Sequence, residues 1–288
     1  MLDLLLQQIA NGLSTGMVYA IIALGLTLIF GVLHVINFAH GELYMVGGLV
    51  SVLLTTQLGV PYAVTLLPAA FAVALVALIV DRIAVRPVMA SADGESLVLI
   101  TTFAVGILIH QGVLARIGPA PITSPGLPGV VTIGPVALTT QRLFILGCGL
   151  GLVVVLETVL RRTRFGRSLR AIAQSGFAAR VVGIDVARVR QITFCAAAAL
   201  AGLAGALIAP VVTFNANMGQ HAVINAFVIV VIGTMGNISG ALVCGILLGV
   251  VEALSSIFLP QEVASACIYS LLLLTLLLRP NGLFARAR

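Results

Sequence analysis

A charge-free stretch constrains this chain most, because residues 191–251 comprise 61 consecutive positions without Asp, Glu, Lys or Arg. A helix needs roughly 20 apolar residues to cross a hydrocarbon core of about 30 Å, so this stretch is long enough for two or three crossings. The whole chain is 60% hydrophobic and 8% charged, whereas an ordinary soluble domain is roughly 25% charged. A water-soluble fold is therefore excluded, and lipid surrounds most of the surface.

The fold class follows from the bilayer, where each backbone polar group must be satisfied internally and spanning segments are helical. We predict an all-α polytopic membrane helical bundle of about eight or nine transmembrane segments, forming a single domain over residues 1–288. Two of the spans, 42–57 and 223–236, are short and border Gly- and Asn-containing stretches. They are either half-helices near a substrate path or ordinary hairpin tips. The predicted spans are 9–33, 42–57, 62–80, 97–117, 142–160, 191–213, 223–236, 240–258 and 263–279.

The distribution of arginine predicts the orientation, since cytoplasmic loops carry an excess of basic residues. Segment 161–190 holds eight arginines and a single acid, Asp185, and is predicted to be cytoplasmic. Segment 118–138 is then outside, and nine crossings place the N-terminus outside as well. The other segments predicted to be cytoplasmic are 81–96, with Arg82 and Arg86, and the tail, with Arg279, Arg286 and Arg288.

Other classes of protein find little support in the sequence. All 15 basic residues are arginine, and most of the net charge of +6 comes from segment 161–190, so we expect no nucleic-acid partner. No phosphate-binding loop, nucleophile elbow or Cys/His metal set is present, which predicts a protein that is not an enzyme and has no cofactor. The first apolar run lacks a cleavage site and is expected to remain. Four scattered cysteines are expected to be small core residues: Cys148, Cys195, Cys244 and Cys267.

Segment 161–190 is too long for a hairpin turn and too basic for lipid. Leu169, Ile172 and Ala173 share a helical face, Gly176 can break the helix, and residues 178–182 can form a second turn that ends at Gly183. One or two short helices are therefore expected on the cytoplasmic face. They form either a knob that docks into a cytoplasmic partner or a basic loop that rests on anionic headgroups.

Polar residues within the apolar segments are the remaining candidates, because ionisable groups at membrane depth are costly and tend to face cavities. The run Asn37-Phe38-Ala39-His40-Gly41-Glu42 either lines a translocation route or fixes a polar kink. Its His-x-Glu pair also occurs in zinc deaminases, but the Pro-Cys-x-x-Cys segment that such a metal site needs is absent. Glu252 either faces a central path or pairs with an Asn or backbone group nearby. Structural roles are expected for an ion pair of Glu157 with Arg161, for His110 and His221, and for small residues at helix crossings, namely Gly12, Gly16, Ala20, Ala241, Gly245 and Gly249.

Six separated segments carry a resemblance to known proteins: GLSTGMVYAIIALGLTLIFG (12–31), INFAHGELYMVG (36–47), DRIAVRP (81–87), TRFGRSLRAIAQSGFAARVVGID (163–185), VVIGTMGNISG (230–240) and LRPNGLF (278–284). Together they resemble one known family, the LivH-type membrane permeases of branched-chain amino acid ABC importers. The resemblance implies the ABC importer permease fold in a bacterial inner membrane. It also implies a second permease subunit of LivM type, two cytoplasmic ATPases that bind the ATP, and a periplasmic substrate-binding protein.

The resemblance also assigns roles to residues. Segment 161–190 would be the ATPase-coupling segment, and Asn37, Phe38, His40, Gly41 and Glu42 would lie near the translocation path, to which we add Glu252. Thr234 and Asn237 depart from the family's Gly-Gly-x-Gly-Ser pattern. The coupling residues on the motif are Phe165, Gly166, Arg167, Leu169, Arg170, Ala171, Ala173, Ala178, Ala179, Gly183 and Ile184.

The implied function is import of branched-chain or related amino acids, driven by partner ATPases. A urea or short-chain amide permease of the same family is one alternative. An autonomous channel or secondary carrier is another, in which Glu42 or Glu252 binds the coupling ion. A structural membrane subunit without a path is disfavoured by the polar interruptions within the spans.

Overall fold

The computed structural model describes residues 1–33, 35–91, 93–279 and 282–284, and within them the chain is a bundle of α-helices with one small hairpin. The predicted all-α class is confirmed. The helices are α1 (Leu2–Leu33), α2 (His40–Leu58), α3 (Tyr62–Val80), α4 (Gly94–Ile117), α5 (Thr140–Arg162), α6 (Arg164–Gln174), α7 (Gly176–Val181), α8 (Val186–Ile208), α9 (Met218–Ile232), α10 (Ile238–Ser255) and α11 (Gln261–Leu278). The antiparallel strands are β1 (Val130–Ile133) and β2 (Val136–Thr139), with Val130 opposite Thr139.

Each predicted span corresponds to one of these helices. Seven of the helices in the described part of the chain are long and apolar enough to cross a membrane, while α9 and α11 are shorter apolar helices. A π-helical turn, Asp81–Val85, extends α3. The predicted tail residues Arg286 and Arg288, and Pro280 and Asn281 of the last motif, lie outside the described residues.

The bundle has two distinguishable ends. At the first, which we call the arginine end, a cavity of about 610 Å³ lies between the C-terminus of α1, the turn after α3 and the start of α8. Gln191 Nε2 donates to Asp81 Oδ2 there, at 3.0 Å. At the opposite or hairpin end, Gln7 Nε2 near the N-terminus donates to Ala137 O at 2.8 Å. Segments 81–96 and 161–190 therefore share one end, and the N-terminus shares the other with 118–138; which end is cytoplasmic stays a prediction.

Small residues form the contact between α1 and α10, in keeping with the helix contacts predicted for them. A Cβ added at Gly16 of α1 would lie 2.7 Å from the carbonyl oxygen of Ile246 in α10, and one added at Gly245 would lie 2.6 Å from Ala20 Cα. The two backbones are thus in direct contact, and any larger side chain would force them apart. Of the cysteines, Cys244 is buried, Cys148 and Cys195 are half-buried, and the side chain of Cys267 lies outside the described part.

Helices α2 and α9 begin with the same local structure. Asn37 Oδ1 accepts a hydrogen bond from Ala39 N at 3.0 Å, and Asn215 Oδ1 accepts one from Asn217 N at 3.0 Å. A glycine follows each asparagine by four positions, and these two glycines, Gly41 and Gly219, pack backbone against backbone. The repeated Asx turn, followed in each case by the same glycine spacing, supports an internal duplication.

The two short helices start inside the bundle and run in opposite directions. His40 Nε2 lies 3.1 Å from the carbonyl oxygen of Ile22, which is 11 residues, or roughly 16 Å, before the end of α1. From this depth α2 runs to the hairpin end and α9 runs to the arginine end, where Leu283 N donates to Ile232 O. Of the two interpretations, the geometry favours half-helices related by an inverted repeat.

Thr234 and Asn237, which depart from the family pattern, both contact the backbone of Phe284. Thr234 has a φ of 71°, which a β-branched residue rarely adopts and glycine adopts readily. Its Oγ1 accepts a hydrogen bond from Phe284 N at 3.2 Å, while Asn237 Nδ2 donates to Phe284 O at 3.4 Å. Asn237 Oδ1 also caps α10 by accepting from Gly240 N. These side chains tie residues 282–284 to the turn between α9 and α10.

Candidate functional site

Segment 161–190 folds into two short helices whose ends are set by local capping. Thr163 Oγ1 accepts from Gly166 N at the start of α6, and Ser175 Oγ accepts from Ala178 N at the start of α7. Gly183 ends this unit with a φ of 82°, and Asp185 Oδ1 caps α8. The two helices and the terminal glycine agree with the sequence prediction. The break between the helices lies at Ser175, whose backbone is extended, and not at Gly176, which begins α7.

The predicted coupling residues divide by burial. Gly166, Leu169 and Ala179 are buried against the bundle, and a Cβ on Gly166 would overlap the backbone of Leu160. They hold the segment in place and are not available to a partner. Half-buried positions are Phe165, Ala171 and Ile184, and exposed positions are Arg167, Arg170, Ala173, Ala178 and Gly183.

Sequence reasoning missed the most exposed apolar side chains of this segment. Phe177 is 72% exposed, Val181 is 72% exposed and Val182 is 73% exposed. We call these three residues the α7 apolar surface. They follow a stretch rich in arginine, at the end of the bundle where no lipid core is expected to cover them. The signal available in the sequence was three large apolar residues within six positions of this basic segment.

The Asn37–Glu42 motif lies mostly in closed packing. Asn37 and His40 are fully buried, and the His40 ring lies against Gly25 of α1. Phe38 is 40% exposed and stacks edge-to-face on Phe103 of α4, with ring centroids 6.2 Å apart. These residues hold the mid-depth start of α2, and none of them lines the cleft described below.

Glu42 faces α4 rather than α1. Its Oε2 lies 3.6 Å from His110 Nδ1, and both side chains are nearly buried. His110 is thus the ionisable neighbour of a buried carboxyl group, at a separation longer than a hydrogen bond. The predicted ion pair of Glu157 with Arg161 is also present, at 2.7 Å on the exposed surface of α5.

Glu252 belongs to a polar group on another side of the bundle. The Tyr19 hydroxyl of α1 interacts with the Glu252 carboxyl group and with the Asn225 side chain of α9. Glu252 is half-buried, and Asn225 is buried. The predicted pairing with an asparagine-bearing neighbour is thus indirect, because tyrosine stands between the two residues.

Next to this group lies an open cleft of about 220 Å³, which we call the α1–α9 cleft. Thr15 and Tyr19 line it from the middle of α1, Tyr44 lines it from α2, and Asn215 and His221 line it from the segment that enters α9. A structural role was expected for His221, yet its side chain is exposed here. The signal in the sequence was a set of amide and imidazole side chains inside a charge-free stretch. Among the described residues, no group of three or more His, Cys, Asp or Glu is arranged to hold a metal.

Comparison with known proteins gives these features their context. A family model described as branched-chain amino acid transport system / permease component matches residues 8–277. The high-affinity branched-chain amino acid transport system permease protein LivH of Escherichia coli K12 is 34% identical over 98% of this chain and 96% of its own length. BraD of Pseudomonas aeruginosa is 31% identical, with the same coverage. A probable LivH of Methanocaldococcus jannaschii is 26% identical over 91% of this chain and 87% of its own length.

No solved structure matches the chain. The family consists of transport permease subunits rather than enzymes, and such a permease works with ATPase and binding-protein subunits. The apolar helices and the relatives together make the chain a multi-pass protein of the inner membrane. It belongs to the family of branched-chain amino acid transport system permease components and is the membrane permease subunit of an ABC importer.

Proposed function

We propose that this permease carries branched-chain amino acids into the cytoplasm and that the arginine end faces the ATPases. The assignment of the substrate rests on the similarity, over 98% of the chain, to a permease named for branched-chain amino acids. The orientation rests on the excess of arginine in segment 161–190. A path for leucine-like zwitterions needs few charged groups, in keeping with a chain that is 8% charged.

The proposed complex contains a second permease subunit of LivM type, two cytoplasmic ATPases and a periplasmic binding protein, and it lies in the lipid bilayer without any nucleic-acid partner. ATP is bound and hydrolysed in the partner chains, so this chain needs no cofactor and performs no catalysis. The chain acts as one transmembrane domain over residues 1–288, with residues 161–190 as its coupling segment.

The proposed coupling step is mechanical. The ATPases grip the α7 apolar surface, while Gly166, Leu169 and Ala179 fix α6 and α7 to the bundle. Movement of the ATPases is then passed on as tilting of a packed helical unit, and the path opens to one side of the membrane at a time.

The decisive experiment is uptake by proteoliposomes that contain the complete complex. We expect leucine, isoleucine and valine to enter only with binding protein outside and hydrolysable ATP inside. Urea and acetamide are offered in the same assay, and uptake of these in place of leucine would reassign the permease to the amide branch of the family. ATP replaced by a non-hydrolysable analogue is the control for coupling.

The alternative that the chain is an autonomous carrier is tested with the same solutes and with this chain alone. Proteoliposomes that hold the permease without ATPases should show no uptake under an imposed proton or sodium gradient. Gradient-driven uptake that is lost in Glu42→Gln or Glu252→Gln would overturn the proposal in favour of a carrier.

A further inference from the structure

The α1–α9 cleft places polar side chains at the middle of the bundle. Thr15 and Tyr19 lie near the centre of α1, which runs from Leu2 to Leu33. Asn215 and His221 flank the start of α9, which meets α2 at the Gly41–Gly219 contact. The cleft therefore lies at mid-depth, on the hairpin side of that contact.

The cleft is not suited to lipid. His221 is exposed, Thr15, Tyr19 and Asn215 are half-buried, and Val212 on its wall is 43% exposed. The Thr15 and Tyr19 hydroxyls and the Asn215 amide are hydrogen-bonded within the protein. The exposed His221 imidazole, in contrast, would lose its hydrogen bonds to water if it faced hydrocarbon, at a cost of several kcal/mol. Such a surface at this depth is expected to meet water or a polar solute.

The surrounding electrostatics differ along the cleft. Met218, the first residue of α9, lines the cleft, and the dipole of α9 favours negative charge at this end of the helix. Glu252, which interacts with Tyr19, supplies a carboxyl group beside it. Glu42 Oε2 faces His110 of α4 and also lies near Gly219 in the first turn of α9, whereas Tyr44, about 200° away around α2, faces the cleft.

We infer that the α1–α9 cleft is the mid-membrane solute site of the permease and that its ligand is the zwitterion of a single α-amino acid. The solute's ammonium group lies toward Tyr19 and Glu252. The volume of about 220 Å³ is below the roughly 300–1,000 Å³ of sites for drug-sized molecules, which suits one amino acid. The inference rests on the proposed function and adds the residues of the path, which differ from the Asn37–Glu42 motif.

The first test blocks the cleft in the complete complex. Thr15→Phe and Ala222→Phe each place a ring in it, whereas Ala104→Phe adds the same ring to the exposed face of α4. We expect both cleft variants to lose ATP-dependent leucine uptake while keeping assembly and basal ATPase activity, and Ala104→Phe to transport like the parent. Uptake at the control rate by both cleft variants would overturn the inference. Absence of leucine uptake by the parent complex would instead overturn the proposed function.

A labelling experiment covers variants that fail to fold. In a background without native cysteines, Val212→Cys in the cleft is compared with Leu108→Cys, which is 72% exposed on α4. A membrane-impermeant, positively charged thiosulfonate should label Val212→Cys much faster, and saturating leucine with binding protein should slow that reaction. Equal labelling of the two positions would show that the cleft faces lipid and would refute the inference.

Discussion

Truncation of Phe177 isolates the contribution of the α7 apolar surface to ATPase docking. Full burial of a Phe or Val side chain is worth about 1.5–3 kcal/mol relative to full exposure. Because Phe177 is 72% exposed in the permease, docking can bury only that remaining fraction. Loss of its ring in Phe177→Ala should therefore cost about 1–2 kcal/mol of binding, which corresponds to roughly 5–30-fold weaker association.

The assay is titration of the purified ATPases onto the solubilised permease, with affinity and transport measured on the same preparation. Phe71→Ala is the matched control, because Phe71 is 66% exposed on α3, which lies in the membrane. Neither change should alter permease stability by more than about 0.5 kcal/mol, since both rings are already largely exposed. Equal affinities for the two variants would remove the α7 apolar surface from the docking site. Ala179 and Gly183 are poorer positions for this test, because Ala179 is buried and Gly183 has a φ of 82°.

Two further substitutions test what holds the bundle together. Gly245→Leu should destabilise the permease by about 1–3 kcal/mol, because the larger side chain overpacks against α1. The loss should appear as a lower melting temperature in detergent. Gly147→Ala, which meets open space on α5, should leave the melting temperature unchanged. Tyr62→Phe should lower the stability of the permease by about 1–3 kcal/mol. The Tyr62 hydroxyl accepts a hydrogen bond from Gln141 Nε2 at 2.9 Å and contacts the carbonyl oxygens of Ala206 and Leu207. A melting temperature equal to that of the parent would contradict this role.

The features predicted correctly from the sequence are those that depend on local patterns. The helical spans follow from apolar length, and the small-residue contact faces of α1 and α10 follow from four-residue spacing. The helical content of segment 161–190 follows from the shared face of Leu169, Ile172 and Ala173. Burial within the coupling segment was not predictable, because it depends on which face of α6 meets the bundle. The same holds for the α1–α9 cleft, since Thr15 and His221 are 206 positions apart and meet only through helix packing.

Helices α2 and α9 are related by the inverted repeat, but the packing around one of them differs from the packing around the other. When the two Asx turns are aligned, Asn215 corresponds to Asn37, Met218 to His40, and His221 to Leu43. On the hairpin side the cleft is open at His221, whereas at the corresponding place Leu43 is fully buried. The His40 ring fills this second place against Gly25. The chain is therefore open on one side of its pseudo-symmetric centre and closed on the other.

Alternating access in inverted repeats can arise when the two halves exchange such arrangements. If the permease works in this way, ATP hydrolysis should open the region around Leu43 toward the arginine end and close the cleft at His221. In the cysteine-free background, Leu43→Cys should resist water-soluble thiol reagents in the resting complex and react during turnover, while His221→Cys should show the opposite change. Labelling of both positions that stays constant through the ATPase cycle would refute exchange between the halves, because a path that opens at only one side cannot move a solute across the membrane.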